Sequence, residues 1–127
     1  MKRRILLIMV PMFAAILLAV WLGAAGRAQA APALTFNVNT TLDLTDDNPG
    51  DGACHTAGNH CSLRAAAQEA DNQSGSLINL PPGNYVLTNT TNGDLTLFHG
   101  MTISGTGLSV SIVQGKAGWN DRIFRVQ

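Results

Sequence analysis

The sequence CSLRAAAQEADN, residues 61–72, predicts one short helix with a narrow apolar stripe. Ser62 stands at the expected N-cap, because a serine hydroxyl accepts a free backbone N–H of the first helical turn. Four apolar residues follow at positions i, i+3, i+4 and i+7, and they are Leu63, Ala66, Ala67 and Ala70. Three of the four are alanine, which suits close packing on a flat surface. We therefore expect this helix to cover the end of a β-structure.

The rest of the mature chain is typical of short strands joined by turns. Residues 34–38 alternate apolar and polar side chains before the helix, as a half-buried strand does. Six strand-like pieces follow the helix, at 77–80, 85–88, 95–98, 101–104, 110–113 and 123–126. Glycine, proline or asparagine lies in the gaps between them, where turns need these residues. The pattern predicts an all-β fold with one short α-helix.

Several of these residues resemble a known family motif. Residues 61–64, followed by alanines, resemble the CSLREA motif, which marks the N-terminus of secreted bacterial right-handed parallel β-helix proteins with the pectate-lyase-like fold. The acidic, glycine-rich stretch 46–54 and the strand and turn at 78–85 are also similar to that family. One departure is Ala65, where the family has a glutamate that would complete a capping box. The resemblance implies the N-terminal part of a parallel β-helix, or solenoid, closed by a capping helix.

An internal period of 25 residues is consistent with this resemblance. Ile78 and Ile103 are separated by this interval, and so are Leu87 and Ile112. Coils of a parallel β-helix repeat at about this interval and bury one another's apolar faces. A small antiparallel sandwich would also contain short strands and glycine turns, so that alternative stays open.

Residues 1–30 have the features of a secretory signal peptide. Residues 2–4 are basic, 5–26 form an almost uncharged apolar run, and 28–30 offer a small-residue cleavage site. The run is also long enough for an uncleaved anchor, but Pro11 and the cleavage site favour removal. We expect cleavage after Ala30, a secreted or cell-surface location, and no stable membrane span after cleavage.

The charge balance argues against nucleic acid as a partner. The chain has eight basic and eight acidic residues, and the predicted signal peptide contains four of the basic and none of the acidic ones. The mature part therefore has a net charge of −4 and no basic face to neutralise phosphates. Charged residues make up 13% of the chain, about half the usual share near 25%. Asparagine, threonine, serine and glycine replace them, as is typical of extracellular β-solenoids.

Cys54 and Cys61 are the only cysteines of the chain. In an exported protein a close, isolated pair is most simply a disulfide. His55 and His60 lie between them and would complete four ligands for a metal. However, the two Cys–His neighbours do not have the spacing of known zinc sites, so we predict a disulfide, no metal site and two solvent-facing histidines.

The predicted organisation has three parts. Residues 1–30 are a signal peptide, 31–75 contain the N-terminal strand, disulfide loop and capping helix, and 76–127 contain the first coils of a parallel β-helix. The last strand-like run stops at Gln127, while a solenoid needs further coils and a terminal cap. We therefore expect a truncated, N-terminal part of a longer protein, whose partner is the remainder of its own β-helix.

Residues that carry chemistry are sparse. The loop acids Asp43, Asp46, Asp47 and Asp51 are candidate calcium ligands, although acids beside proline and glycine are also ordinary turn residues. No other cofactor is expected. The sequence has no nucleophile motif, and no carboxylate pair is placed across a groove as glycoside hydrolysis requires. We therefore predict no catalytic residue in this segment.

Two functional hypotheses follow. The favoured one is a non-catalytic N-terminal capping segment of a secreted or cell-surface β-helix protein that serves adhesion or polysaccharide contact. The alternative is the N-terminal fragment of a polysaccharide lyase or glycoside hydrolase of the pectate-lyase-like fold. Since fold does not determine function, the sequence leaves open whether the whole protein is an enzyme.

Overall fold

The computed structural model describes residues 33–105, 107 and 109–127. In this part of the chain the elements are β1 Thr35–Asn37, α1 Leu63–Ala70, β2 Ser76–Leu80, β3 Gly83–Leu87, β4 Leu95–Leu97, β5 Met101–Gly105, β6 Ser111–Gly115 and β7 Phe124–Val126. The structure is mostly strand with one short helix, so the all-β prediction is confirmed at this level. The predicted signal peptide, residues 1–30, lies outside the described residues.

The strands form three small parallel sheets. The first sheet has the order β1-β2-β5, the second pairs β3 with β6, and the third pairs β4 with β7. We call β2, β3 and β4 the first triplet, and β5, β6 and β7 the second triplet. Each strand of the first triplet pairs in parallel with its counterpart in the second triplet. An antiparallel sandwich does not predict these pairings, so that alternative is wrong.

The strand register supports one of the two predicted repeats and corrects the other. Ile78 pairs with Ile103, as the period of 25 residues predicts. Leu87, however, pairs with Gly115, and Ile112 pairs with Asn84, so the expected Leu87–Ile112 match is wrong. The cause is a longer connection from β5 to β6 than from β2 to β3, which shifts the register of the second sheet.

The hydrophobic core lies inside the first triplet. Its inward side chains, namely Ile78, Leu80, Tyr85, Leu87, Leu95 and Leu97, are all buried. The second triplet contributes residues that are only partly buried against this core, including Ile103, Val113 and Phe124. Residues on both sides of the predicted boundary at 75 and 76 share this core, because β1 and α1 pack on β2.

Candidate functional site

Helix α1 begins at a buried serine that joins two segments. Ser62 Oγ accepts the backbone N–H of Ala65 at 3.0 Å, as an N-cap residue does. The same hydroxyl donates to the carbonyl oxygen of Leu44. Ser62 is fully buried, so each of these bonds replaces a bond to water that folding removes. The N-cap therefore also holds the loop before the helix.

The predicted disulfide between Cys54 and Cys61 is confirmed, with a Cα–Cα distance of 5.1 Å. Inside the loop, the backbone N–H of Thr56 donates to the carbonyl of His60 at 2.8 Å. Thr56 is 2% exposed, whereas His60 is exposed. The disulfide therefore closes a compact turn immediately before α1.

His55 is partly exposed, with 36% of its side chain accessible, and it also contacts two of the loop acids. Its Nδ1 contacts Asp47 Oδ1, and its Nε2 lies 3.7 Å from Asp51 Oδ2. Desolvation acts to lower the pKa of His55, but the charge of Asp47, with a smaller effect of Asp51, outweighs it and raises that pKa above its usual range. Asp47 and Asp51 therefore flank the His55 imidazole and raise its pKa.

A buried ion pair fixes α1 to the segment that precedes it. Arg64 Nε lies 2.6 Å from Asp43 Oδ1, and Arg64 Nη2 donates to Asp43 Oδ2 at 3.2 Å. Asp43 Oδ2 also accepts the backbone N–H groups of Thr88 and Asn89, each at 2.7 Å, directly after β3. Asp43 therefore connects the helix to the end of a strand.

The surroundings of Asp43 favour its ionised form. Burial alone acts to raise the pKa of this carboxyl group. The hydrogen bond from Arg64, the two backbone N–H donors and the charge of Arg64 outweigh burial, so the pKa of Asp43 is lowered from its usual value. A carboxyl group with a lowered pKa is poorly suited to act as a general acid at neutral pH.

Two charged residues of the helix region bind the two ends of β4. Before the strand, Arg64 donates to the carbonyl oxygens of Gly93 at 2.9 Å and Asp94 at 3.3 Å. After the strand, Asp71 Oδ1 accepts the backbone N–H groups of residues 98 and 99 at 2.6 and 3.0 Å. At this edge of β4, side chains therefore take the place that a neighbouring strand would fill.

The polar side of α1 holds the acidic loop. Glu69 is 1% exposed, and its two carboxylate oxygens accept the N–H groups of Gly50 at 2.6 Å and Gly52 at 2.8 Å. Both glycines have positive φ, at 99° and 85°, a conformation that side chains disfavour. Gln68 Oε1 accepts the N–H of Asp46 at 2.8 Å. The loop is thus fixed to the helix through its backbone.

The predicted apolar stripe of α1 belongs to the hydrophobic core. Leu63, Ala66, Ala67 and Ala70 are between 0% and 3% exposed. They lie in one cluster with inward side chains of the first triplet, including Ile78, Leu87 and Leu95. Small side chains at three of these positions allow the helix to approach the strands closely.

The first triplet is therefore covered along one edge. There, β1 pairs with β2, Asp43 binds the residues after β3, and Arg64 and Asp71 bind the two ends of β4. We call this side of the first triplet the sealed edge. It combines strand pairing with side-chain hydrogen bonds, which give partners to the backbone groups directly after β3 and at the two ends of β4.

The opposite side of the structure is uncovered. Among the described residues, β5, β6 and β7 each have a strand partner on one side only. We call their other side the open edge. Val110, Ile112 and Val126 in or beside these strands are 72%, 49% and 79% exposed. Unpaired strand edges with exposed apolar side chains are a template for further strand pairing.

The four candidate calcium ligands are not gathered in one place. Asp43 binds Arg64, and Asp51 accepts the side-chain amide of Asn48 and the N–H of Ala53. Asp46 and Asp47 lie together with His55, with one ligand atom of each within 4.8 Å of the others. This is the sole such group among residues 33–105, 107 and 109–127.

Asp94 connects the two triplets. Its carboxylate accepts from Thr96 Oγ1 at 2.9 Å and lies 2.7 Å from Arg125 Nε on β7. Burial acts to raise the pKa of Asp94, but the bonds from Thr96 and Arg125 outweigh it, and the pKa is lowered. Together with Arg64 at the Asp94 carbonyl, these contacts extend from the helix to the second triplet.

Sequence reasoning located the helix but missed the polar residues that attach it. Arg64, Glu69 and Asp71 are the three that bind other segments through charge-assisted hydrogen bonds. One signal could have found two of them. Arg64 and Glu69 are charged residues on a short helix whose neighbours are nearly all apolar, and such residues are buried only with partners.

No protein-family model matches this chain, and neither a curated protein nor a solved structure matches it. Within the part of the chain that the structure describes, no helix is long and apolar enough to cross a membrane.

Proposed function

We infer that this chain is the non-catalytic N-terminal cap of a secreted or cell-surface parallel β-helix of the CSLREA type. The observation that carries this inference is the contrast between the sealed edge and the open edge. A solenoid needs a cap at its ends, because each coil otherwise exposes its apolar layer and its unpaired strands. In this chain α1, β1 and Asp43 supply such a cover on one side of the first triplet.

The burial of the two triplets supports the same function. The inward side chains of the first triplet are at most 9% exposed, and Ile78 and Leu87 are at most 2% exposed. The inward side chains of the second triplet are only partly buried. In this proposal a further coil pairs with β5, β6 and β7 and completes that burial. The assembled protein then contacts polysaccharide or a surface through its long face.

A fusion experiment tests the cap function. A parallel β-helix domain that has lost its own N-terminal cap is expected to aggregate, and fusing residues 31–127 before its first coil should restore a soluble monomer. The matched control is a fusion in reverse order, with the same residues after the last coil. Equal solubility of the two fusions, or no gain over the uncapped domain, would contradict the cap function.

Export is part of this proposal. The predicted removal of residues 1–30 is tested by the intact mass of the exported protein. An exported product that keeps these residues would contradict cleavage after Ala30.

A further inference from the structure

A groove of about 440 Å³ lies between α1 and β4 and is open to solvent. The buried residues Ala67 and Leu95 are part of its lining. Phe98 also lines it and is 59% exposed. Polar side chains complete the walls, among them Asn72, Asn92, Thr96 and His99. The helix approaches β4 here without the hydrogen bonds of a neighbouring strand, which leaves the space for this groove.

The backbone of Thr96 points toward the groove. Leu95 donates its N–H to Ile123 and the carbonyl of Leu97 accepts from Gln127, so both residues bond with the residues that flank β7. Alternate residues of a parallel strand direct their N–H and C=O groups to opposite sides. The N–H and C=O of Thr96 therefore face away from β7, on the side of α1. A sugar hydroxyl can bond with either group, because it both donates and accepts.

The edge of β4 that faces α1 is too short for an extended peptide. Peptides that add to a sheet bond with several alternate residues of the edge strand. Here Arg64 already binds the carbonyls before β4, and Asp71 binds the N–H groups after it. Among the described residues of this edge, Thr96 alone remains between them. A peptide strand would therefore gain the hydrogen bonds of one residue.

The charges of the groove disfavour a polyanion. Arg64 is 3% exposed and paired with Asp43, and Asp94 is paired with Arg125. Asp71 lines the groove with hydrogen bonds from backbone N–H groups and, among the described residues, no ion pair. The groove is thus negative, which disfavours uronates and phosphates.

We propose that this groove binds a neutral oligosaccharide. The exposed ring of Phe98 offers a flat apolar surface to the C–H face of a sugar ring. The amides of Asn72 and Asn92 and the backbone of Thr96 provide donors and acceptors for its hydroxyl groups. This inference rests on the proposed function and adds a glycan contact at the cap itself, with a stated charge class of glycan.

An NMR titration of the protein produced from the full 127-residue chain tests this site. The probes are neutral hexasaccharides of β-1,4-glucose, β-1,4-mannose and α-1,4-glucose. Hexagalacturonate is the anionic comparison, and an extended threonine- and valine-rich decapeptide is the peptide comparison. We expect saturable amide shifts at Thr96, Phe98 and His99 with at least one neutral probe and none with hexagalacturonate. Phe98→Ala should weaken that binding roughly 10-fold.

The matched control is Leu42→Ala, because Leu42 is as exposed as Phe98 and does not line the groove. It should leave the affinity unchanged. If Phe98→Ala disturbs the fold, Asn92→Ala, which removes an exposed amide of the groove, should still weaken binding several-fold.

The possible outcomes distinguish this proposal from the proposed function. Absence of saturable shifts in the groove with all three neutral probes, or tighter binding of hexagalacturonate there, would overturn the groove assignment. Saturable shifts elsewhere on the chain would overturn it too, but would leave polysaccharide contact standing. Groove binding by an extended threonine- and valine-rich decapeptide alone would make the site a peptide site. If the fusion does not restore a soluble monomer but the groove still binds a neutral probe, the cap function is overturned and the groove assignment stands.

Discussion

Arg64 and Asp43 form an ion pair that is almost closed to solvent, with 2.6 Å between Nε and Oδ1 and side chains 3% and 1% exposed. The two residues are 21 positions apart in the sequence, and Asp43 also binds the backbone after β3. The pair therefore determines where α1 lies on the first triplet. Desolvation offsets much of the attraction in a buried ion pair, so the intact pair contributes little net stability. Removing one partner costs far more, because it leaves the other charge buried and unpaired.

Replacing Asp43 should destabilise the fold strongly. Asp43→Ala leaves the Arg64 guanidinium buried without its carboxylate and removes the acceptor of two backbone N–H groups. We expect a loss of about 3–5 kcal/mol in the free energy of unfolding. Chemical denaturation followed by circular dichroism measures this loss.

Asp51→Ala is the matched control, because Asp51 is exposed and binds only neighbours in its own loop together with His55. The change should cost about 1 kcal/mol or less. Equal midpoints for the Asp43 and Asp51 variants would refute the role assigned to the buried pair.

Stability should fall on the acid side. The pKa of Asp43 is lower in the folded than in the unfolded chain, so its carboxylate stabilises the fold above about pH 4. This contribution is lost as the pH falls through the folded pKa. Asp94 has a lowered pKa as well and should add to the effect. Unfolding free energies at several pH values should show a shallower acid slope for Asp43→Asn than for the unchanged protein, and identical slopes would contradict the assignment.

The positions of strands and helix could be predicted from the sequence because they follow periodic patterns. The spacing of Leu63, Ala66, Ala67 and Ala70 and the N-cap residue Ser62 locate α1 within one residue of its observed bounds. Strand registers were harder. Leu87 and Ile112 are separated by the same interval as Ile78 and Ile103, which do pair. A longer turn after β5 shifts the strand register of their sheet, so Leu87 pairs with Gly115 instead.

The contacts of single polar residues were not predictable from the sequence. Arg64 reaches a carboxylate 21 positions before it and a carbonyl 29 positions after it. Such partners depend on how the loops fold over the helix, and the local periodicity of the sequence does not determine that. For the same reason Asp43 was grouped with the other loop acids, whereas the structure places it against Arg64.

Reduction of the Cys54–Cys61 disulfide should destabilise the protein without abolishing its fold. The closed loop is short, so the chain-entropy estimate gives roughly 2–3 kcal/mol. Denaturation with and without reductant measures this difference. A variant with serine at both positions serves as the control and should not respond to reductant. An unchanged midpoint in a sample whose thiols are shown to be free would contradict the estimate.

The chain by itself should not cleave polysaccharides. Hydrolysis needs two carboxyl groups about 5–10 Å apart across a groove, one of them with a raised pKa. Asp43 and Asp94 instead have lowered pKa values and are held by arginines. Incubation with pectate, pectin and neutral glucans, with and without calcium, should release no unsaturated or reducing ends. Reproducible release that one substitution in residues 33–127 abolishes would overturn this prediction.

The most direct test of the cap function is a charge placed under the helix. Ala67 is 3% exposed and faces the core from α1, whereas Ala57 is exposed in the disulfide loop. Melting temperature and size-exclusion chromatography compare Ala67→Asp with Ala57→Asp. We predict that Ala67→Asp melts at least about 10 °C lower and aggregates, since it buries an unpaired charge, while Ala57→Asp behaves like the unchanged protein. An Ala67→Asp protein that stays monomeric and keeps the original melting temperature would contradict the account.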